Sequence, residues 1–379
     1  MRCIDKSTKM KIGIITDYLD FQVTGIGNYI NNLVMGILAV DKKNEYTLIH
    51  IKKQDRPHYS NVKDIVVPLP MFPPRAIIRK NVLIPKVLKN EGLDLVHEPL
   101  QITPFLFQLP MKRVITIHDV NCIIRPMDYS IWEQWYYSWV LKNTVKTADM
   151  IITISENSKR DIVKALNVPE DKIRVIYHGL DKNFKPITDL DDISLKYGIN
   201  YPFILYVGRL EPRKNIPTLI KSFYRLKKRG VKHKLLMVIQ MGSDYQKVVA
   251  SIKDLCLENE VRLIEGVPKE DMAGVYNLAD LLVFPSVYEG FGFPPLEAMG
   301  CGTPVVTSNS SSLPEIIGDA GIMVDPYDSD ALTNAIYEVL VNKELKDDLI
   351  RKGLKRTKQF SWEKATKETI EVYEKVAGS

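Results

Sequence analysis

Short apolar runs alternate with amphipathic stretches along the whole chain, and that alternation leaves few folds open. Lys11–Thr16 reads as a buried strand, followed by a loop over 17–24 and a helix-like stretch over Gly27–Val40. Further apolar runs lie at Tyr46–Ile51, Leu93–His97, Arg113–His118, Met150–Ser155 and Ile173–Tyr177. Each is too short for a helix, and a turn or helical segment follows it. Strand then helix, repeated, predicts a parallel sheet covered on both faces, because parallel neighbours need a crossover long enough to hold a helix. The rhythm breaks over Gly179–Asn200, which holds Lys185-Pro186, three aspartates (Asp189, Asp191, Asp192) and Gly198. It then restarts. Strands are expected at Phe203–Val207, Lys234–Gln240, Val261–Glu265, Leu281–Pro285, Pro304–Ser308 and Gly321–Val324. Helices are expected at Ile216–Arg229, Asp244–Glu258, Lys269–Leu278, Ser329–Val341, Lys343–Gln359 and Trp362–Ala377.

The pattern predicts an α/β protein of two doubly wound, Rossmann-like domains facing across a cleft. Their expected bounds are 1–183 and 201–359, with a linker over 184–200. A C-terminal helix over 360–379 has the reach to cross back to the first domain. A chain of 379 residues fits two domains at roughly 100–200 residues each. Such sheets bind ligands at the carboxyl ends of their strands, and a cleft between two of them is a natural ligand site.

Composition narrows the class. Cys3, Cys122, Cys256 and Cys301 lie far apart, with no CxxC or Cys/His cluster. That argues against a disulfide framework or zinc site and fits a reducing cytoplasm. No apolar run approaches the roughly 18 residues of a membrane span. Residues 1–10 lack the apolar core of a signal peptide and read as a ragged extension, with Met10 an alternative start. Residues 1–180 carry 25 Lys/Arg and 18 Asp/Glu, an excess that suits an anionic partner or mere solubility.

Glu289-Gly290-Phe291-Gly292-Phe293-Pro294-Pro295-Leu296-Glu297 is the most informative local stretch. Its glycines leave backbone amides uncovered, and its prolines start a helix, where a missing N–H costs nothing. With Pro295 as first helical residue, Glu297 lies in the first turn and Glu289 precedes the helix. A helix N-terminus attracts an anion such as a phosphate. The flanking carboxylates are suited to accept hydrogen bonds from hydroxyls. The same spacing also fits an ordinary capped helix in a core.

Arg209 and Lys214 follow a strand end, in a loop rich in charge, where a phosphate or plain solvent can meet them. Gly25 and Gly27 stand between the first strand and its helix, but Ile30 occupies the third position of a GxGxxG, so a dinucleotide fingerprint is absent. His118 closes an apolar strand. His178 reads as structural. Asp189-Leu190-Asp191 matches DxD only formally and lies in the expected linker. Residues 71–90 and 131–146 mix cations with apolar and aromatic groups, the second with three Trp and two Tyr. They suit either an anionic membrane surface or core packing.

Val207-Gly208-Arg209-Leu210-Glu211-Pro212-Arg213-Lys214-Asn215 and the block from Phe284 to Pro326, with its E-x7-E pattern, resemble the family-four retaining glycosyltransferases of the GT-B fold. The first half adds Thr24–Tyr29, Thr116–Asp119, Ile152–Glu156 and Ile176–Asp181, and looks most similar to the mannosyltransferases of polysaccharide and O-antigen assembly. The resemblance implies a hexosyltransferase that moves mannose from GDP-mannose, with retained configuration, to a glycan or lipid-linked acceptor. It implies that Arg209, Lys214, Gly25, Gly27 and the backbone at Phe291, Gly292 and Phe293 hold the donor diphosphate. Glu297 would hold the ribose, and His118 and Glu289 would serve the donor sugar. No metal and no other cofactor is expected, since cations and a helix end can replace a metal's charge. No nucleic-acid partner is expected; a cytoplasmic location is, with peripheral contact with anionic membrane. A UDP-sugar donor (glucose, galactose or N-acetylglucosamine) and a non-catalytic sugar-binding protein stay open. An epimerase and an NAD-dependent dehydrogenase fit the motifs less well.

Overall fold

The computed structural model describes residues 9–20, 25–52, 62–100 and 105–378. Thr24 of the first glycine motif and most of the amino-terminal extension therefore lie outside the described residues. The chain divides into two compact units. The first is Met1–Gly179 with Trp362–Ser379, and the second is Leu180–Ser361.

The first unit holds a sheet of β1 (Lys11–Ile15), β2 (Glu45–His50), β3 (Lys63–Val66), β4 (Leu95–Glu98), β5 (Lys112–Ile117), β6 (Met150–Thr153) and β7 (Ile173–Val175). Their order is β3-β2-β1-β4-β5-β6-β7, and every pairing is parallel. The strand order therefore reverses between β1 and β4. The second unit holds β8 (Phe203–Arg209), β9 (Lys234–Gln240), β10 (Val261–Glu265), β11 (Leu281–Phe284), β12 (Val305–Ser308) and β13 (Ile322–Val324). Its order, β10-β9-β8-β11-β12-β13, is again parallel and reverses between β8 and β11. Central strands such as β4 and β11 are buried from end to end, which is why they read as unbroken apolar runs.

Helices cover the sheets for local reasons that the residues make plain. Ile216–Lys228 buries Ile216, Leu219, Ile220, Phe223 and Leu226 on one stripe and ends in Arg225, Lys227 and Lys228, where cations meet the negative end of the dipole. Ser130 and Glu133 form a reciprocal capping box on helix Ile131–Thr147. The carboxyl-terminal helix Trp362–Ala377 packs into the first unit. Its Tyr373 hydroxyl meets His97 Nδ1 at 2.6 Å, with both residues fully buried. It approaches helix Gly25–Val40 so closely that a Cβ on Gly36 would stand 2.2 Å from Thr366 Oγ1.

Residues 184–200, expected as a linker, lie inside the second unit. Asp191–Tyr197 forms a helix ended by Gly198 at φ +58°, and Lys196 and Tyr197 both donate to Asp271. Strand β3 is also additional to the expected elements. It is a mostly exposed edge strand, so its sequence KDIV carries no apolar run.

Candidate functional site

In the second unit the loops after β8 and β11 meet at the point where the strand order reverses, the place where open α/β sheets bind ligands. Lys214 ends a short turn, Pro212–Lys214, after β8. Its Nζ lies 2.5 Å from Glu289 Oε1 and 4.8 Å above the ring of Phe284. Arg213 Nη1 donates to Glu289 Oε2 at 3.0 Å and to the Tyr288 carbonyl at 3.3 Å. Lys214 and Glu289 are both buried. Burial works to raise the Glu289 carboxyl, but Lys214 and Arg213 outweigh it and hold it below the usual carboxylate range. Burial also lowers the Lys214 ammonium against the pull of Glu289.

The Glu289–Glu297 turn is pinned from the following loop. Glu289 N–H donates to Ser311 Oγ at 2.8 Å. Ser312 Oγ donates to the carbonyls of Glu289 and Phe291 at 2.9 and 2.8 Å. Gly292 caps the helix at φ +109°, a conformation that a Cβ penalises. The helix runs Phe293–Gly300, so it starts two residues earlier than expected. Pro294 and Pro295 are its second and third residues, and both still fall where no intrahelical partner is needed. Glu297 is consequently in the second turn, not the first. Its Oε2 accepts from the Tyr276 hydroxyl at 2.8 Å, and burial raises the carboxyl to about 7 despite that bond.

Arg209 is not part of this cluster. Its side chain is 57% exposed, and Nε donates to the Met241 carbonyl at 2.9 Å, with Glu211 at 3.4 Å. The pair that the structure brings together is thus Lys214 and Glu289, with Arg213 as the second cation. Arg213 was not singled out in the sequence, where it is one more charge in a charged loop. Tyr276, Ser311 and Ser312 carried no signal either.

In the first unit His118 stands just past β5, half-buried. Its Nε2 lies 3.0 Å from the Pro99 carbonyl, and Ser158 Oγ donates to its backbone carbonyl at 3.0 Å. An aromatic cluster surrounds the ring. Tyr29 meets it edge-on at 4.9 Å and His178 lies at 5.6 Å; His178 in turn packs on Trp362 at 5.6 Å. Burial lowers both histidines, His178 well below its usual value, so both are neutral imidazoles near pH 7. Behind them, Thr116 Oγ1 shares hydrogen bonds of 3.0 Å with the Tyr29 hydroxyl and with His97 Nε2. Gly25 and Gly27 lie within the first turn of helix Gly25–Val40, not in the loop ahead of it. Asp191 begins the helix described above, and no cluster of three His, Cys, Asp or Glu side chains with metal-binding geometry occurs among the described residues.

Chemically, the second unit offers a buried ammonium and a carboxylate beside a helix N-terminus, at a strand-end crevice. That combination can hold an anion next to a hydroxylated group. Comparison with known proteins bears on what it serves. Residues 191–356 match the model of "Glycosyl transferases group 1" and residues 23–184 that of "Glycosyltransferase Family 4". The chain is 30% identical to the O-antigen chain mannosyltransferase B of Escherichia coli, over 96% of this chain and 99% of that one. Among solved structures it resembles sucrose-phosphate synthase from Thermosynechococcus elongatus, with a TM-score of 0.78 at 22% identity over 97% and 99% of the two chains. It also resembles HepE from Anabaena in complex with UDP and glucose, with a TM-score of 0.74 at 19% identity over 97% and 100%.

Proposed function

Because the chain belongs to the group 1 glycosyl transferases, with a family 4 amino-terminal half and the GT-B fold, we propose that it transfers mannose from GDP-mannose, with retained anomeric configuration, to a glycan or lipid-linked acceptor. Glycosyl transfer itself follows from the family; donor, sugar and stereochemistry are the finer reading. The observation that carries this reading is the buried Lys214–Glu289 pair beside the start of helix Phe293–Gly300. The name of the 30% identical relative supports mannose.

In this reading Lys214 and Arg209, with the backbone at Phe291, Gly292 and Phe293, hold the donor diphosphate, and Gly25 and Gly27 approach it. Glu297 accepts from the ribose hydroxyls. Glu289, held in place by Arg213, and His118 contact the transferred sugar. The bond from the anomeric carbon to the diphosphate breaks as the acceptor oxygen bonds to the same face. The acceptor proton passes to the departing phosphate oxygen. Both Glu289 oxygens are engaged by cations, which favours this front-face route over a covalent glutamyl intermediate. A glycosyl-enzyme adduct trapped by mass spectrometry would overturn it. The cations and the helix end supply the charge that a metal supplies elsewhere, so turnover is expected to survive EDTA. Loss in EDTA with recovery in magnesium would refute that.

We also place the enzyme in the cytoplasm, in peripheral contact with anionic membrane. Met127, Ile131 and Trp132 are 74%, 80% and 81% exposed, and Lys142 and Lys146 continue along the same helix, exposed. Trp and basic side chains together suit a lipid interface. No helix among the described residues is long and apolar enough to cross a membrane. Sedimentation with anionic but not neutral liposomes is expected; equal recovery in both supernatants would end this part. The donor is tested by following nucleoside diphosphate release from a panel of nucleotide-sugars. Release from GDP-mannose is expected, and release from a UDP-sugar instead would keep the class and discard mannose.

A further inference from the structure

A line of polar side chains runs through the core of the first unit and ends at the His118 ring. The Tyr373 hydroxyl meets His97 Nδ1 at 2.6 Å. His97 Nε2 lies 3.0 Å from Thr116 Oγ1, and Thr116 Oγ1 lies 3.0 Å from the Tyr29 hydroxyl. The four residues come from four elements, helix Trp362–Ala377, β4, β5 and helix Gly25–Val40. His97, Thr116 and Tyr373 are 0% exposed and Tyr29 is 5% exposed, so each link is made by a side chain shielded from bulk water. At the end of the line the Tyr29 ring meets His118 edge-on at 4.9 Å and lies 4.6 Å from His178. Thr116 stands two positions before His118, and residues so spaced along a strand face the same way.

Packing alone does not call for this line. Tyr29 and Tyr373 sit in an apolar core with Ile14, Leu33, Val114 and Ile152. Apolar groups of the same shape can replace a buried hydrogen-bonded pair at little cost. Hydrogen bonds add direction, which apolar contact lacks. Burial lowers His97 to about 3, so it is neutral, donates through one ring nitrogen and accepts through the other. It therefore carries the line onward. His118 is neutral as well, and its Nε2 faces the Pro99 carbonyl at 3.0 Å. A carbonyl only accepts, so Nε2 holds the proton and Nδ1 keeps its lone pair. One hydrogen bond leaves the ring free to tilt about it, and the edge of Tyr29 limits that tilt.

We propose that Tyr373, His97, Thr116 and Tyr29 are positioning residues: their hydrogen bonds fix the Tyr29 ring, and Tyr29 fixes the plane in which the His118 imidazole meets the transferred sugar. The proposal rests on the reading above that His118 contacts that sugar. Thr116, His97 and Tyr373 act through Tyr29, and through Tyr373 the carboxyl-terminal helix becomes part of the apparatus that holds the site.

Thr116→Val removes the central hydroxyl at nearly constant shape, and Thr116→Ser keeps it. Two readouts on the full chain test the proposal. The first is GDP release from GDP-mannose. Thr116→Val is expected to lower kcat by about tenfold to a hundredfold, the scale of a catalytic group displaced by about 1 Å, with KM changed by less than about threefold. Thr116→Ser is expected to recover most of that loss. In a His118→Ala background Thr116→Val should add nothing, because groups that act as one unit are not additive. The second readout is the ring nitrogen resonances of His118 in protein labelled with ¹⁵N-histidine. They are expected to move in Thr116→Val and to return in Thr116→Ser. Tyr373→Phe is expected to act in the same direction and serves if Thr116→Val does not fold. Unmoved His118 resonances, an undiminished loss in the His118→Ala background, or an equal loss in Thr116→Ser would overturn the proposal. Full turnover by His118→Ala beside moved resonances strikes the sugar-contact reading alone. Unmoved resonances beside an inactive His118→Ala strike this proposal alone. If the wild type leaves GDP-mannose intact, the donor assignment falls and the His118 resonances decide this proposal.

Discussion

Lys214 Nζ and Glu289 Oε1 are 75 positions apart in sequence and 2.5 Å apart in space. The contact joins the loops after β8 and β11 and fixes the geometry on which the proposed donor site depends. Removing one partner of a buried pair leaves an uncompensated charge and costs about 3–5 kcal/mol. Glu289→Ala is therefore expected to destabilise the second unit by about that amount, and Glu289→Ala with Lys214→Met to recover much of it; urea unfolding measures both. The pH dependence has a definite sign. The folded-state value of Glu289 is lowered, so its contribution is present above the unfolded value of about 4.3 and is lost as pH falls through the lower folded value. Glu289→Gln should lose that component of acid sensitivity.

Glu297 behaves in the opposite sense. Its carboxyl is raised to about 7. Between about 4.3 and that value the folded protein keeps a proton that the unfolded chain releases. Stability from this group falls as pH rises across the window and levels off above it. In the proposed ribose role the carboxylate, not the acid, would accept from two ribose hydroxyls, so nucleotide affinity is expected to rise as pH climbs through 7 and to be flat in Glu297→Gln. Nucleotide titrations between pH 5.5 and 8.5 check this; a flat wild-type profile would remove Glu297 from the ribose role.

Gly292 holds φ +109°, and a Cβ there would stand 2.8 Å from Leu313 Cδ2. Gly292→Ala is expected to cost about 1–3 kcal/mol through backbone strain. It should weaken nucleotide diphosphate binding more than nucleoside binding, since it disturbs the amides at the helix start. Calorimetry with GDP and guanosine reads the difference.

What could be seen in the sequence follows from physics that is local. Buried parallel strands are continuous apolar runs, so β9 was expected with the bounds it has. The half-buried edge strand β10 was expected with its bounds too, as was helix Trp362–Ala377. The glycines and prolines before Glu297 announced a turn and a helix start, although two adjacent prolines left its first residue ambiguous. β3 was invisible because an exposed edge strand needs no apolar run. Helix Asp191–Tyr197 was hidden because it buries no residue fully. Arg213 and Tyr276 act through partners 76 and 21 positions away, and nothing in their own neighbourhoods records that.

The close approach of Gly36 to Thr366 offers a test of how the carboxyl-terminal helix docks. Among the described residues Thr366 Oγ1 is buried without a hydrogen-bond partner, so Thr366→Ala should cost little. Gly36→Ala should cost about 1–3 kcal/mol by overpacking, and Thr366→Ala should relieve part of it. Thermal melts of the single and double variants measure the coupling; additive effects would place the two helices further apart.

The central claim is that the Lys214–Glu289 site takes the diphosphate of a nucleotide-sugar for mannosyl transfer. Release of GDP from GDP-mannose, compared between the wild type and Lys214→Ala at matched folded concentration, tests it most directly. Turnover by the wild type that falls about a hundredfold or more in the variant, the scale of losing one charge-stabilising donor, is the expected result. Equal rates in the two proteins, or no release from GDP-mannose by the wild type, would contradict the account.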